Sequence, residues 1–456
     1  MRYKSTRGGV TNVTFRDAVI MGLAPDGGLL LPEQIPDVAE ELVQWQNLGY
    51  AELAYEVMSY YIDDIDPETL REIIERSYAT FDHELVTPVR NVGDVHILEL
   101  FHGPTLAFKD VALQFLGNIF EHILTERQTT VNILGATSGD TGSAAIAGIR
   151  GKSNINIYIM FPEGKTSTIQ EQQMTSVLDN NVHNIAINGS FDDCQSLMKS
   201  VFSDLEFKQS HNLAAVNSVN WTRVLAQIVY YFSGYFQIGS PLHFDVCVPT
   251  GNFGNILAGF LARKMGLPIR RLILATNSND ILARFFNSGV YERGPVNFTH
   301  SPAMDIQVSS NFERYLYYKC DENPTKLSEF MQGFADTGRA EMRFNSSRFD
   351  PVFRAASVSD EETRNTIKRY FDSHQYVVDP HTAVGLAVAA RFRDDTVPLL
   401  ALSTAHPAKF EDVMANALPG SAITHPTLEA LKGLPTRKKL LDAHVAEIKL
   451  LIETSG

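Results

Sequence analysis

At 456 residues, with 44% hydrophobic and 20% charged residues, the chain is long enough for two or three packed domains and too ordinary in composition for a disordered, collagen-like or disulfide-scaffold protein. A formal net charge of −14 without any dense Lys/Arg run lacks the footprint of a general nucleic-acid binder, although a few local cations and helix N-termini can still hold an anion. Three scattered cysteines (Cys194, Cys247, Cys320), no apolar run of bilayer length and no hydrophobic segment in MRYKSTRGG point to the cytoplasm, with neither membrane nor nucleic acid as partner.

From about Phe15 to Thr80, apolar residues recur every three or four positions in ELVQWQNL, YAELAYEVMSYYI and ETLREIIERSY. This predicts a mainly helical N-terminal domain over 1–92, with PDGGLLLP at 25–32 marking a turn or short strand. From about Val95, short β-rich runs (VHILEL, VNILGA, INIYIMF, VHNIAI, LAAVNS, FDVCVPT, RLILATN, PLLALSTA) alternate with longer helical stretches. Strands separated by helices pair in parallel through crossovers, so the fold class is α/β, with helices over both sheet faces and ligands at the carboxyl ends of strands. We divide this region into an α/β domain over 93–240 and a second over 241–425, interrupted at about 280–375 by a helical insert where the strand rhythm stops. Residues 426–456 are expected to form a tail, mainly one helix from about Lys438 to Ile452.

Three strand-to-loop junctions could carry chemistry. In LFHGPTLAFKD, Lys109 lies between an apolar run and a helical one; a lysine in dry surroundings loses its proton readily, and a neutral amine is what Schiff-base formation requires. Taken alone, it reads as a surface lysine near a helix start, with Asp110 as cap, and other residues must overturn that reading. In ILGATSGDTGSAAIAGI, small residues and the start of a helix favour an anion, with hydroxyls on Ser138, Thr141 and Ser143; an ordinary turn capped by Asp140 or Thr141 is the alternative. In DVCVPTGNFGNILAGFLA, residues Gly251, Asn252, Phe253, Gly254 and Asn255 could cradle a phosphate. That loop is neither a Walker A motif nor a GxGxxG fingerprint. Two anion-friendly loops beside a candidate amine suggest a cofactor phosphate plus a substrate anion.

Taken together, HGPTLAFKD (102–110), GATSGDTG (135–142), NSVNWTR (217–223), PTGNFGN (249–255), DPHTAVG (379–385) and TAHPAKF (404–410), with the N-terminal DGGLLLP and the segment PEGKTSTIQEQQM, resemble the longer-chain threonine synthases over nearly the whole sequence. The resemblance implies a tryptophan-synthase-β-like fold of parallel sheets covered by helices, pyridoxal 5'-phosphate as cofactor, and conversion of O-phospho-L-homoserine and water to L-threonine and phosphate. It implies that Lys109 is the Schiff-base lysine and that Gly251, Asn252, Phe253, Gly254 and Asn255 hold the cofactor phosphate. Thr404 would face the pyridine nitrogen. Ser138, Asp140 and Thr141 match a loop for the substrate carboxylate and the cofactor's phenolic oxygen, although many relatives in the wider fold carry Asn where Asp140 stands. Asn217, Ser218 and Arg223 match a substrate-phosphate segment, Arg223 being suited to bidentate contact. Rivals are a serine/threonine dehydratase or cysteine synthase of the same fold, which need no second phosphate site, and a catalytically silent sensor of the same metabolites. A metal centre on His102, His381 and His406 lacks ligand spacing. The assembly is expected to be a monomer or small homo-oligomer.

Overall fold

Strands and helices alternate from Val89 onward and sort into two main sheets. The computed structural model describes residues 1–215, 218–342 and 349–455. One sheet has six strands in the order Phe353–Ser357, Ile269–Thr276, Phe244–Pro249, Leu399–Ser403, Val95–Glu99, Val89–Val92, parallel except for the final pair. The other has five, all parallel: Lys439–Asp442, Val182–Asn188, Ile155–Pro162, Val131–Ala136, Leu213–Ala215. The central strands are apolar on both faces because helices cover both sides, and INIYIMFP is buried along most of its length.

Small residues set the spacing that builds the site. The helices Lys109–Glu126 and Asp140–Ile149 cross where Gly117 meets Gly148, and a Cβ at either glycine would collide with the other helix's backbone. Their first residues, Lys109 and Asp140, are thereby brought side by side. In the N-terminal region, Tyr3–Ser5 pairs antiparallel with Leu30–Pro32, so the LLLP run is a strand. Helix Pro67–Tyr78 starts at an Asp66 cap with proline in its first turn and buries Leu70, Ile73, Ile74 and Tyr78. These side chains belong to the same hydrophobic cluster as the helices Lys109–Glu126 and Trp221–Gln237. ELVQWQNL contributes only the short helix Leu42–Trp45.

Two sequence expectations need correction. The strand rhythm does not stop between 280 and 375: Phe353–Ser357 is the edge strand of the larger sheet, and Val290–Glu292 pairs with Arg339–Glu341. The remaining elements described there are helices, including Ile281–Ser288, Phe312–Lys319, Pro324–Thr337 and Asp360–His374. The tail does not begin as a helix at Lys438, because Lys439–Asp442 extends the five-stranded sheet and the helix spans Val445–Ser455. A four-residue run such as KLLD fits either period, so its state is decided by the sheet edge it meets.

Candidate active site

Lys109 is the first residue of its helix, and the chain before it is fixed from across the sheet. The Phe108 N–H donates to the Thr404 carbonyl (2.9 Å), and the His406 N–H to the Leu106 carbonyl (3.0 Å). Leu106 adopts φ 60° to make this turn. Asp110 does not cap the helix; its carboxyl accepts from the Thr105 N–H (2.8 Å) and hydroxyl (2.7 Å), tying the loop down, and burial pushes its pKa up to about 6. The Lys109 side chain is buried, and its amine loses its proton more readily than usual: burial is the largest cause, the Asp140 charge opposes it, and the cations Lys409 and Arg223 reinforce it.

At the end of Val131–Ala136, the Thr137 hydroxyl accepts from the Gly139 and Gly142 N–H groups (3.0 and 2.9 Å), folding the loop back on itself. Gly139 has φ 150°, and a Cβ there would strike Gln170. The helix after it starts without a side-chain cap, leaving its N-terminal dipole for a ligand anion. Asp140 is buried and accepts from Gln170 Nε2 (2.9 Å), Lys409 Nζ (2.8 Å) and Lys109 Nζ (3.4 Å). Burial alone would raise its pKa, but the Lys409 and Lys109 charges outweigh burial and hold it well below the usual carboxylate range. Ser138 is exposed on the loop, Thr141 half-buried and Ser143 buried.

At the end of Phe244–Pro249 lies the second loop. Phe253 takes a left-handed conformation (φ 65°) at the start of helix Gly254–Lys264, its ring held among Phe286, Phe312 and Tyr315. Such a backbone in a bulky residue is strained and persists only under tight packing. A Cβ at Gly251 would come within 3.0 Å of the Met304 backbone. No side chain caps this helix either. The Tyr230 and Tyr231 hydroxyls both donate to Asn255 Oδ1 (2.6 and 2.9 Å), which orients the amide. Its Nδ2 is buried with no partner among the described residues. Asn252 Oδ1 accepts from Ser310, whose hydroxyl meets that of Ser218 at 2.6 Å.

Arg223 projects from helix Trp221–Gln237, which Asn220 caps through the Thr222 N–H. It is no surface arginine: it is 5% exposed, burial pushes its pKa down to about 10, and its Nε and Nη1 have no partner among the described residues. Buried cationic donors without partners are costly. The arrangement fits a bound anion that both donors contact. Thr404 is buried at the end of Leu399–Ser403, its N–H on the Thr382 hydroxyl (3.2 Å). Asn217 lies outside the described residues. Among those residues, no group of three or more His, Cys, Asp or Glu side chains could hold a metal ion.

The site is thus a buried amine with two uncapped helix N-termini and an arginine poised for an anion. Models of threonine synthase N terminus (residues 2–78), pyridoxal-phosphate dependent enzyme (81–401) and threonine synthase, C-terminal (382–452) match the chain. It is 44% identical to a threonine synthase of Pseudomonas aeruginosa, covering 100% of this chain and 99% of the relative. Identity is 46% to that of Schizosaccharomyces pombe, covering 91% and 89%. The chain belongs to the threonine synthase family. A PLP-bound threonine synthase of Brucella melitensis has the same fold with a TM-score of 0.96 at 40% identity, covering 100% of this chain and 99% of that one. The chain is therefore a pyridoxal-phosphate-dependent threonine synthase, a lyase acting on a phosphate ester. Among the described residues, no helix is long and apolar enough to cross a membrane.

The sequence motifs pick out Lys109 and the two glycine loops but not the side chains that pack on them. Lys409 and Gln170 stand inside the quoted TAHPAKF and PEGKTSTIQEQQM segments without an assigned role. Tyr230, Tyr231 and Ser310 stand in none of the quoted motifs.

Proposed function

We propose that Lys109 is the amine that carries pyridoxal phosphate and moves protons on O-phospho-L-homoserine, with Arg223 holding the substrate phosphate. The observation that carries this reading is the buried Arg223 guanidinium, with Nε and Nη1 unpartnered among the described residues, close enough to Lys109 for its charge to disfavour the amine's protonation. A cofactor phosphate suits the loop Gly251, Asn252, Phe253, Gly254 and Asn255, where the oriented Asn255 Nδ2 and the uncapped helix N-terminus offer donors and glycine leaves the space.

When bound, the cofactor supplies a conjugated ring that accepts the electron pair left when the substrate's Cα–H bond breaks. Thr404 would face the ring nitrogen, where a hydroxyl could exchange a hydrogen bond but could not protonate it as a carboxylic acid would, tempering that electron sink. Ser138, Thr141 and the N-terminus of helix Asp140–Ile149 bind the substrate carboxylate, and Asp140 orients Lys109. Ser218 joins Arg223 around the substrate phosphate. The Lys109 amine takes the Cα proton, then one from Cβ as the γ carbon–oxygen bond breaks and phosphate departs into the grip of Arg223. The proton taken from Cβ goes to Cγ, which becomes the methyl carbon; water then adds at Cβ, giving up a proton, and Lys109 returns a proton to Cα. The buried site keeps bulk water from these steps.

The N-terminal region 1–92, the α/β domains 93–240 and 241–425 and the tail 426–456 serve as the units of this enzyme, working in the cytoplasm as a monomer or small homo-oligomer. Incubating purified protein with phosphohomoserine while following threonine and phosphate together tests the reading. Equal release of both by wild type and none by Lys109→Ala is the expected result. Full activity in that variant would sink it, as would turnover of free threonine in place of phosphohomoserine.

A further inference from the structure

The site holds a conflict of charges. Lys109 must present an uncharged amine, yet the Asp140 carboxylate lies 3.4 Å from its Nζ, where an unopposed negative charge would hold the proton on. Lys409 answers this. Its Nζ sits 2.8 Å from Asp140 Oδ1 and 2.7 Å from the Thr105 carbonyl oxygen, and its side chain is wholly enclosed. We propose that Lys409 is a positioning residue for the reaction, fixed by Thr105 and Asp140 so that its charge balances the carboxylate and Lys109 faces an oriented, nearly neutral acceptor. This rests on Lys109 being the reacting amine.

The placement is built from three separate segments. Thr105 is set by Asp110, and its carbonyl also accepts from Gln173 Nε2 (3.0 Å), so Lys409 meets a fixed oxygen. Gln170 Nε2 takes Asp140 Oδ1 as well, which fixes the carboxylate plane. The charged and titratable groups facing Lys109 are Asp140, Lys409 and Arg223. Those facing Asp140 are Lys409, Lys109 and His381, and His381 Nδ1 is in turn 2.9 Å from Asp379. Asp110 also faces Lys409. Removing Lys409 deletes a cation that disfavours protonation of Lys109 and frees Asp140 to favour it, so both changes push the amine toward its charged form. Removing Asp140 alone pushes the other way. Removing both leaves the two effects nearly cancelled.

The test uses full-length protein freed of cofactor, with pyridoxal phosphate as probe. The rate at which the lysine-bound absorbance band grows is followed against pH, because only the neutral amine reacts. Lys409→Met should move the midpoint up by about one pH unit or more, slowing capture about tenfold below the midpoint. Asp140→Asn should move it down, and the double variant should return it close to wild type. A merely structural lysine would alter thermal unfolding and leave the midpoints alone. A folded Lys409→Met with an unmoved midpoint overturns the proposal. If that variant does not fold, Asp140→Asn compared with the double variant decides, and equal midpoints there overturn it. A band that persists in Lys109→Ala instead refutes the assignment of the amine, a distinguishable failure.

Discussion

Arg223 and Arg314 are both buried on helices and both have a depressed pKa, about 10 and about 9, with burial the largest cause in each. Their surroundings differ completely. Arg314 is satisfied: Nε and Nη2 donate to the Leu30 carbonyl (3.0 and 2.9 Å), Nη2 to the Val219 carbonyl (2.5 Å) and Nη1 to Asn311 Oδ1 (2.5 Å). It thereby ties the N-terminal strand to the turn ahead of Arg223 and to the residue beside Ser310. Among the described residues, two Arg223 donors, Nε and Nη1, have no partner. A buried arginine saturated by carbonyl oxygens acts as a structural tie, whereas unpartnered donors fit the ligand role proposed for Arg223.

The sharpest break between them is in function. With Arg223 holding the substrate phosphate as proposed, Arg223→Met should lower kcat/KM for phosphohomoserine by about a thousandfold, about 4 kcal/mol. Its denaturant midpoint should stay or rise, because a buried cation without partners is exchanged for an apolar chain of similar length. A variant that unfolds easily and keeps its kcat/KM would place Arg223 with Arg314.

Arg314→Met should do the reverse. It strands the Leu30 and Val219 carbonyls in a dry interior, and the stability loss should be about 3 kcal/mol in equilibrium denaturation. Activity per folded molecule should drop far less than in Arg223→Met. A thousandfold loss in a fully folded Arg314 variant would erase the distinction.

The sequence makes the loops legible because each is one contiguous stretch whose backbone does the work: GDTG opens one helix and GNFG another, and the family resemblance places Lys109, Thr404 and Arg223. Without that resemblance, local pattern alone does not separate the two arginines. WTRV and FERY both read as basic residues on helices, and burial depends on Leu30, far away in the chain. Tyr230 and Tyr231 likewise look like ordinary core residues of an apolar helix until the fold sets them against Asn255. The strand at Phe353–Ser357 is hidden for a related reason, since five residues with two alanines carry little periodicity and the neighbouring strand supplies the reason to extend.

Smaller effects extend the comparison to the loop proposed for the cofactor phosphate, where Asn255 Oδ1 is saturated and Nδ2 has no partner among the described residues. Tyr231→Phe or Tyr230→Phe alone leaves the amide held by the other hydroxyl and should weaken pyridoxal phosphate binding by about 1 kcal/mol, measured by fluorescence titration. The double variant should lose more than the sum, because Asn255 then rotates freely. Strict additivity would mean that the hydroxyls do not act through the amide.

The smallest expected effect falls between the two arginines. Ser310 links Ser218, in the segment leading to Arg223, with Asn252 in the cofactor loop, while the adjacent Asn311 answers to Arg314 and donates to the Ser218 carbonyl (2.9 Å). Ser310→Ala removes one hydroxyl but leaves the Asn311 tie, so the expected cost is about 0.5 to 1 kcal/mol. If Ser310 serves the ligand side, that cost appears as a severalfold higher KM for phosphohomoserine at nearly unchanged kcat, with the unfolding midpoint held. If it appears in the unfolding midpoint with KM unchanged, the serine belongs to the structural tie, and the two anion sites are joined through Asn311 alone.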